Sequence, residues 1–506
     1  MMHKQRLHII IPVLVMFSVI LGCTDPWDNY YQAEDARVNM KLWDAVRQEP
    51  RFSGFVNAVE ASSLDSLFTK GITHTLFIPG NEALSEMLDT ALNPEQVVLY
   101  HISPTLFLPG IVQEKRRLQT LTGKYVLLEL NGDQFTLDGL PVQYTSPLFL
   151  DGKYYELSGA AFPRPNLYEF TERYSPFIKK YIDTRDSVFL DLEQSLPIGF
   201  DPEGNTIYDS VFGNVNLFEM EYFPVSEEFR SKNATFILFT QEQYSAALEQ
   251  MASVIGTPGG GANISEKWQL EELMPKLMKT TMFEGMLEYS DFMKGRLESI
   301  TGDTVDINYM NIDPDSKFIC SNGQTYVYRE FSIDSSFYLG GIQVEGESLL
   351  DTLGIGTWTW KDGVVTTGVN VSPLGLGSTT ASNGSVLLAA FPRGFTGEFT
   401  LEFTIKNILP MRYRLIWSAN SRPSGLVAIY VNDEYIGEFD SNKFRSTVQS
   451  VTGEFFRPNN GFNKKDFWVE NLTEFGDVNI RFEYLGPGRE LNNGLNIDYI
   501  KLIPAL

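Results

Sequence analysis

A group of aromatic, amide and carboxylate side chains lies near the carboxyl end of the sequence, in a stretch rich in asparagine. Aromatic rings can stack on the flat C–H faces of sugars, and amides and carboxylates can satisfy sugar hydroxyls. Loops carry binding sites more often than regular elements do, so this stretch is a candidate glycan site, with a purely structural role as an equal alternative. The residues are Phe456, Asn459, Asn460, Phe462, Asn463, Asp466 and Trp468.

Patterns for catalysis or metal binding are scarce. Beyond the first 23 residues only His74 and His101 remain as histidines, and neither has the cysteine or histidine spacing of a zinc site. No nucleophile elbow, His-Glu-x-x-His helix or calcium loop occurs, so we expect no enzyme, no catalytic residue, no metal and no cofactor. Two alternatives stay open, because paired carboxylates of glycoside hydrolases leave no sequence pattern and Asp498 could help to hold a structural calcium.

The charge balance excludes one class of partner. Forty basic and 64 acidic residues give a net charge of -24. Such a chain and the phosphates of nucleic acid repel each other, so nucleic acid is not an expected partner.

The sequence has two cysteines, Cys23 and Cys320. If Cys23 is modified, no disulfide forms within the chain, and the apolar run around Cys320 predicts a small buried side chain rather than a reactive thiol.

The amino terminus has the composition of an export signal. A basic start with Lys4 and Arg6 precedes an apolar run over residues 9–21. This run is shorter than the ~20 residues that a helix needs to cross a bilayer. We therefore predict a cleaved signal rather than a membrane span.

The signal ends in Ile20-Leu21-Gly22-Cys23, which resembles the lipobox of bacterial lipoproteins. The resemblance implies that Cys23 carries fatty acyl chains such as palmitate, each contributing about 0.8 kcal/mol of membrane attachment per buried methylene. No aspartate directly follows Cys23, as in Gram-negative lipoproteins sent to the outer membrane. We expect residues 1–23 to be signal peptide and lipobox, residues 24–36 to be a tether, and the protein to face outward; a periplasmic face stays open.

Helical and strand patterns alternate in the next part of the chain. A short strand, Thr75–Pro79, leads into a helix that Asn81 can cap, and a second helix from Pro94 ends at Tyr100-His101. This arrangement resembles the fasciclin domain and covers residues 37–165. The family implies an α+β fold, a role in cell adhesion and a protein contact near Tyr100 and His101, whereas the residues themselves favour packing for this pair.

The strand pattern recurs later in the chain. Residues 233–240 repeat it, and a strand over residues 321–328 contains an Asn322-Gly323 turn. The recurrence predicts a second fasciclin-like domain over residues 166–340, with an insertion near residues 191–230 and without the Tyr-His pair.

From residue 346 to residue 506 apolar and polar residues alternate, which predicts antiparallel strands in a β-sandwich. Asn432-Asp433 is expected to turn one hairpin, and Trp358, Trp360 and Trp417 are expected in the core. The closing strand, residues 494–502, resembles that of galactose-binding and carbohydrate-binding jelly-roll modules, which implies a glycan ligand.

Together these features predict an α+β chain of two fasciclin-like domains followed by an all-β jelly-roll sandwich. The predicted function is that of a non-catalytic outer-membrane lipoprotein that binds glycan beside the importer components of a nutrient-uptake system. A surface adhesin that binds proteins is the alternative, and a glycoside hydrolase the third. The ligand and the oligomeric state stay open.

Overall fold

A computed structural model describes most of the folded chain. The described residues are 39–69, 71–90, 93–108, 115–131, 134–257, 259–349, 370–375, 381–390, 399–420, 425–440, 462–470, 472–487 and 494–505. The predicted signal segment, Cys23, the tether, Trp358 and Trp360 lie outside these residues. Among the described residues, no helix combines the length and apolar character needed to cross a membrane.

The chain divides into two compact units. The first contains the chain up to residue 170 together with residues 225–234 and 318–324, and the second contains the remainder. The helices of the amino-terminal part are α1 (Leu42–Arg47), α2 (Ser53–Ala61), α3 (Asn81–Thr90) and α4 (Pro94–Tyr100). Its strands are β1 (His74–Pro79), β2 (Ile102–Ser103), β3 (Lys115–Gln119), β4 (Tyr125–Asn131), β5 (Gln134–Leu137), β6 (Leu140–Thr145) and β7 (Gly152–Leu157).

These strands form one sheet in the order β2-β1-β7-β6-β5-β4-β3, in which β1 is parallel to β7 and antiparallel to β2. Strand β1 is buried along its whole length because both of its faces are covered. Ile78 packs with Phe52 and with Phe55 of α2 in one core cluster, and Phe77 packs with Tyr155 in another. The predicted strand at Thr75–Pro79 therefore lies at the centre of the domain.

Asn81 does not play the role predicted for it. Its side-chain oxygen accepts from the Gly54 amide at 2.8 Å, and its side-chain nitrogen donates to the Pro50 carbonyl at 3.2 Å and to Ser53 at 3.0 Å. The side chain thus joins the start of α2 to the start of α3. Spacing along the chain could not show this use, because the partners lie about 30 residues earlier.

From residue 167 onward the helices are α5 (Leu167–Tyr174), α6 (Pro176–Asp183), α7 (Leu217–Glu221), α8 (Gln241–Ile255), α9 (Glu266–Trp268), α10 (Met274–Thr281) and α11 (Tyr289–Phe292). The strands up to residue 328 are β8 (Asp186–Leu190), β9 (Leu196–Phe200), β10 (Thr206–Asp209), β11 (Phe212–Asn216), β12 (Ala234–Leu238), β13 (Met282–Glu284), β14 (Arg296–Glu298), β15 (Thr304–Asp306), β16 (Ile312–Ile319) and β17 (Gly323–Tyr328). The order β13-β12-β17-β16 matches β2-β1-β7-β6 of the first sheet.

The two central strands also share their side-chain hydrogen bonds. Thr75 Oγ1 donates to the Thr105 carbonyl at 2.7 Å and accepts from the Phe107 amide at 2.9 Å. Thr235 makes the same two bonds, at 2.7 and 2.9 Å, with a carbonyl and an amide 50 and 52 residues further along. This agreement supports the predicted recurrence of the fasciclin-like pattern.

A pair of glycines occupies equivalent positions beside these strands. A Cβ atom on Gly152 would lie 2.0 Å from the His74 carbonyl oxygen, and one on Gly323 would lie 2.4 Å from the Ala234 carbonyl oxygen. Both distances are far below van der Waals contact, so only glycine allows the strands to approach this closely. The two copies of the fasciclin-like pattern, in the first domain and in the part from residue 167 to residue 328, therefore each depend on a glycine. It is the first residue of β7 in one and of β17 in the other.

The segment of the predicted insertion contains a hairpin. Strands β8 and β11 pair with each other, and β9 and β10 continue the hairpin as a second two-stranded ribbon. Its strands span residues 186–216, so they begin and end earlier than the predicted residues 191–230.

The carboxyl-terminal part contains β18 (Ile342–Glu345), β19 (Asn370–Gly375), β20 (Ser385–Ala390), β21 (Phe399–Ile408), β22 (Tyr413–Asn420), β23 (Leu426–Val431), β24 (Glu434–Asp440), β25 (Phe462–Val469), β26 (Gly476–Gly486), β27 (Gly494–Ile497) and β28 (Tyr499–Pro504). They form the sheets β18-β28-β22-β25, β19-β20-β27 and β21-β26-β23-β24. Strand β18 pairs with β28 and begins four residues before the predicted start at residue 346.

The alternating strand pattern of this part and the predicted core position of Trp417 are confirmed. Trp417 of β22 is fully buried and contacts Phe439 and Phe482 of the facing sheet edge to face. Asn432 and Asp433 both have positive φ, as a two-residue hairpin turn between β23 and β24 requires.

Candidate functional site

The structure describes only part of the predicted glycan site. Phe456, Asn459 and Asn460 lie outside the described residues, and Phe462 and Asn463 begin β25, where only their backbone is described. Asp466 and Trp468 follow on the same strand. The site can therefore be built only from this strand and its neighbour β22.

Asp466 and Trp468 lie on the face of their sheet opposite Trp417. Phe467, between them, pairs with Leu415, which shares the inner face with Trp417. Asp466 is 0% exposed, whereas Trp468 is partly exposed. The Asp466 side chain thus does not reach the surface in this structure, and its role as a ligand-binding carboxylate stays a prediction.

Trp468 forms a small polar and aromatic platform with two residues that the sequence pattern did not reveal. The Arg412 guanidinium carbon lies 3.7 Å from the Trp468 ring centroid, and Arg412 Nη2 donates to Glu470 Oε1 at 2.8 Å. Arg412 thus covers one face of the indole. Both charged side chains are about half exposed, so this platform offers guanidinium donors and carboxylate acceptors beside an aromatic ring.

A second group of carboxylates surrounds Asp498, at the end of β27. Asp498 Oδ2 accepts from the Ser418 hydroxyl at 2.9 Å, and Oδ1 accepts from the Ser382 amide at 2.9 Å. The Ser382 hydroxyl also donates to Glu345 Oε1 at 2.8 Å. Burial, followed by the nearby charges of Glu345 and Glu347, raises the pKa of Asp498 to about 6.

This group fits a hard cation in its donor chemistry. Oε2 of Glu345 and Oε2 of Glu347 are buried without a hydrogen-bond partner. Buried carboxylate oxygens without donors are costly, and Ca²⁺ prefers several such oxygens. Within the described part of the chain no set of three or more acidic, cysteine or histidine residues has a ready metal-binding arrangement. Asp498, Glu345 and Glu347 thus offer the donor oxygens for the structural calcium left open for Asp498, but they are not arranged around a metal-sized position.

Tyr100 and His101 are both buried in the first domain. His101 Nδ1 donates to the Val97 carbonyl at 2.7 Å, and Nε2 accepts from the Ala161 amide at 2.9 Å. Burial lowers the pKa of His101 to about 4, which keeps the ring neutral. The Tyr100 hydroxyl donates to Asp138 Oδ2 at 2.7 Å. These contacts support the packing role, and neither side chain is accessible for the alternative role in protein contact.

In the second copy of the fasciclin-like pattern, a threonine takes the position that His101 has in the first domain. Thr281 at the end of α10 is buried, and its hydroxyl donates to the Met278 carbonyl at 3.2 Å. Cys320 is also buried, as predicted, and burial raises the pKa of its thiol to about 12. Neither residue offers reactive chemistry at the surface.

One concave feature of the second copy was not predicted. An open cleft of about 680 Å³ is lined by charged, amide and aromatic side chains that include Lys276, Asp306, Asn308, Asn311 and Glu330. Burial lowers the pKa of Lys276, whose ammonium donates to the Phe337 carbonyl at 2.7 Å. The lining comes from separate segments without a shared motif, so no local pattern could have indicated it.

The described residues define an α+β chain that ends in antiparallel β-sheets, which confirms the predicted fold class. Residues 50–147 match the model of the fasciclin domain, so the predicted family resemblance of the first domain is confirmed. Human periostin is 27% identical over 135 residues, which are 24% of this chain and 16% of periostin. The chain thus covers less than a fifth of that relative's length.

Solved structures similar to this chain have low sequence identity. A FAS1 domain pair of the insect cell adhesion molecule fasciclin I is 11% identical, with a TM-score of 0.22 over 56% of this chain and 97% of the other. The family 35 carbohydrate-binding module of Clostridium thermocellum is 16% identical, with a TM-score of 0.20 over 33% and 99%. CBM35 from Paenibacillus barcinonensis is 15% identical, with a TM-score of 0.20 over 32% and 99%. Similarity of this degree carries no functional argument.

Proposed function

We propose that this chain is a non-catalytic outer-membrane lipoprotein of a Gram-negative bacterium, anchored through Cys23, that captures extracellular glycan with its carboxyl-terminal sheets. In this proposal it serves a nutrient-uptake system and passes glycan toward outer-membrane importer components. The fasciclin domain and its second copy act as a scaffold or protein contact.

The observation that carries the glycan proposal is the platform of Arg412, Trp468 and Glu470. Sugars present flat C–H faces to aromatic rings and hydroxyls to planar donors and acceptors, and the platform combines these groups where β22 begins and β25 ends. Because Arg412 already covers one indole face, a sugar would contact the remaining face or edge and the guanidinium itself. Strand β25 also begins at Phe462, so it carries four of the seven residues predicted for the site.

Calorimetry of the chain without residues 1–23 against a glycan panel tests this proposal. For a glycan that binds, Trp468→Ala and Arg412→Ala should each weaken binding by about 1–2 kcal/mol, or roughly 5- to 30-fold in Kd. Tyr435→Ala is the matched control, because this exposed aromatic residue lies on β24 of another sheet. If no glycan of the panel binds, or if the Trp468→Ala variant binds with the affinity of the parent chain, the glycan proposal is wrong.

The cleft of the second copy offers a check on the location of the site. If binding survives Trp468→Ala and is lost in Asn311→Ala, the ligand occupies the cleft and the platform assignment is wrong. Mass spectrometry of the mature amino terminus tests the anchor, since an unmodified Cys23 would contradict it. Protease treatment of intact cells distinguishes an outward from a periplasmic face.

A cell-surface adhesin is the second candidate function, and the fasciclin match at residues 50–147 favours it. In that case a defined protein partner should be recovered from envelope extract even when every glycan fails to bind. A glycoside hydrolase, the third candidate, would release new reducing ends from a polysaccharide when the purified chain is added.

A further inference from the structure

The hairpin of residues 186–216, here called the arm, is held together by side-chain hydrogen bonds rather than by apolar packing. At its base, Asn216 donates to the Ile182 carbonyl at 2.7 Å and to Asp186 at 2.8 Å. In its middle, Ser195 accepts from the Val211 amide at 2.9 Å. These local bonds hold the arm in its shape without a hydrophobic core.

The apolar side chains of the arm point to solvent instead. Val188 and Phe212 lie on one face of β8 and β11 and are 68% and 64% exposed, and Phe200 near the tip is 73% exposed. The exposed large apolar side chains of the arm are Val188, Phe189, Leu192, Leu196, Ile198, Phe200, Ile207, Val211 and Phe212. An isolated two-stranded hairpin is marginally stable in water, and so many exposed apolar side chains on one hairpin indicate an interface.

The edges of the arm are open to strand addition. Strands β8 and β11 pair only with each other among the described strands, so each has one unpaired edge. Exposed edges are usually protected by proline or lysine, and neither occurs in β8 or β11. The backbone amides and carbonyls along these edges can therefore pair with an extended segment.

The charge of the arm restricts what can bind to it. It carries six acidic residues, Asp186, Asp191, Glu193, Asp201, Glu203 and Asp209, and no lysine or arginine. A second copy would bring the same acidic groups together in a chain of net charge -24, and an anionic lipid surface would be repelled as well. A partner strand that carries both apolar and positively charged side chains would complement the apolar and acidic side chains of the arm.

We propose that the arm is a docking element for another protein, which adds an extended segment of alternating apolar and basic residues to the edge of β8 or β11. The apolar side chains of the segment cover Val188 and Phe212, and its basic side chains face the acidic residues. This inference is independent of the proposed glycan binding.

Fluorescence anisotropy with the full chain and labelled dodecapeptides tests this proposal. The first peptide alternates valine and lysine, the second alternates valine and glutamate, and the third is the first with alternate amides N-methylated. We expect the valine–lysine peptide to bind at least ten-fold more tightly than the other two, and binding to weaken at 0.5 M salt. Val188→Ser/Phe212→Ser should reduce binding at least ten-fold, because serine removes only exposed apolar surface.

The control variant is Val254→Ser/Met293→Ser, which changes two exposed apolar residues outside the arm and should bind like the parent chain. Equal binding of the lysine and glutamate peptides, no binding of the lysine peptide, or unchanged binding by the arm variant would overturn the proposal. It would also be overturned if sedimentation showed a dimer that the arm variant abolishes. Binding to phosphatidylglycerol vesicles that depends on the arm would likewise refute it.

Discussion

Replacing Asp498 with asparagine should stabilise the metal-free protein at neutral pH. Asp498 is 2% exposed, and its pKa is raised to about 6, whereas a carboxyl in an unfolded chain titrates near 3.9. The folded chain therefore binds a proton more tightly than the unfolded chain does. The resulting cost is absent below about pH 4, grows between pH 4 and 6, and is complete above pH 6.

The size of the effect follows from this shift. Two pKa units correspond to about 3 kcal/mol, and relaxation around the carboxylates reduces this to about 1–2 kcal/mol. An asparagine side chain at this position would keep the oxygen that accepts from the Ser382 amide, and its amide could donate to the Ser418 hydroxyl. Asp498→Asn should thus raise the free energy of unfolding by about 1–2 kcal/mol at pH 7 in EDTA and leave it unchanged at pH 4.

Hydrogen exchange of the β28 amides, detected by mass spectrometry in EDTA and in millimolar Ca²⁺, measures the stability of the region around Asp498. If Glu345, Glu347 and Asp498 hold calcium, the parent chain gains about 2.7 kcal/mol at a hundred-fold excess over Kd, and the variant gains much less. A variant that is less stable than the parent at pH 7 in EDTA would refute the account of the charge. A parent chain indifferent to Ca²⁺ would refute the metal site.

Two further predictions concern the fasciclin domain and its repeat. Because the pKa of His101 is lowered to about 4 from an unfolded value near 6.5, stability is complete above pH 6.5 and should fall by about 3 kcal/mol as the pH drops to 4. Hydrogen exchange of α4 checks this, and flat protection across that range would contradict it. Thr75→Val and Thr235→Val should each cost about 1–3 kcal/mol in urea unfolding, since each leaves a buried amide and carbonyl unpaired. A loss in only one variant would show that the two positions are not equivalent.

Local patterns were sufficient where chain neighbours determine the structure. The strand at Thr75–Pro79, the helix that ends at Tyr100 and the turn at Asn432-Asp433 all depend on residues within one or two turns of each other. Each of these features depends on residue spacing or on turn-forming residue types, and both can be recognised in a single sequence.

Tertiary contacts limited the remaining predictions. Asn81 has a capping side chain by type, but its partners lie on another helix, and Asp466 has a binding side chain by type but is buried. The platform of Arg412 and Trp468 joins two residues that lie more than 50 positions apart in the chain. Such pairings depend on strand register, which the alternation of apolar residues does not define.

The absence of lysine and arginine from the arm has a practical consequence for finding its partner. Trypsin cannot cleave between Asp186 and Phe229, so the whole arm stays within one long acidic peptide that ends at Arg230. Amine-reactive cross-linkers also find no lysine there. Interaction surveys that rely on these two reagents would miss a complex formed through the arm, whereas chymotrypsin and carboxyl-directed coupling would report it.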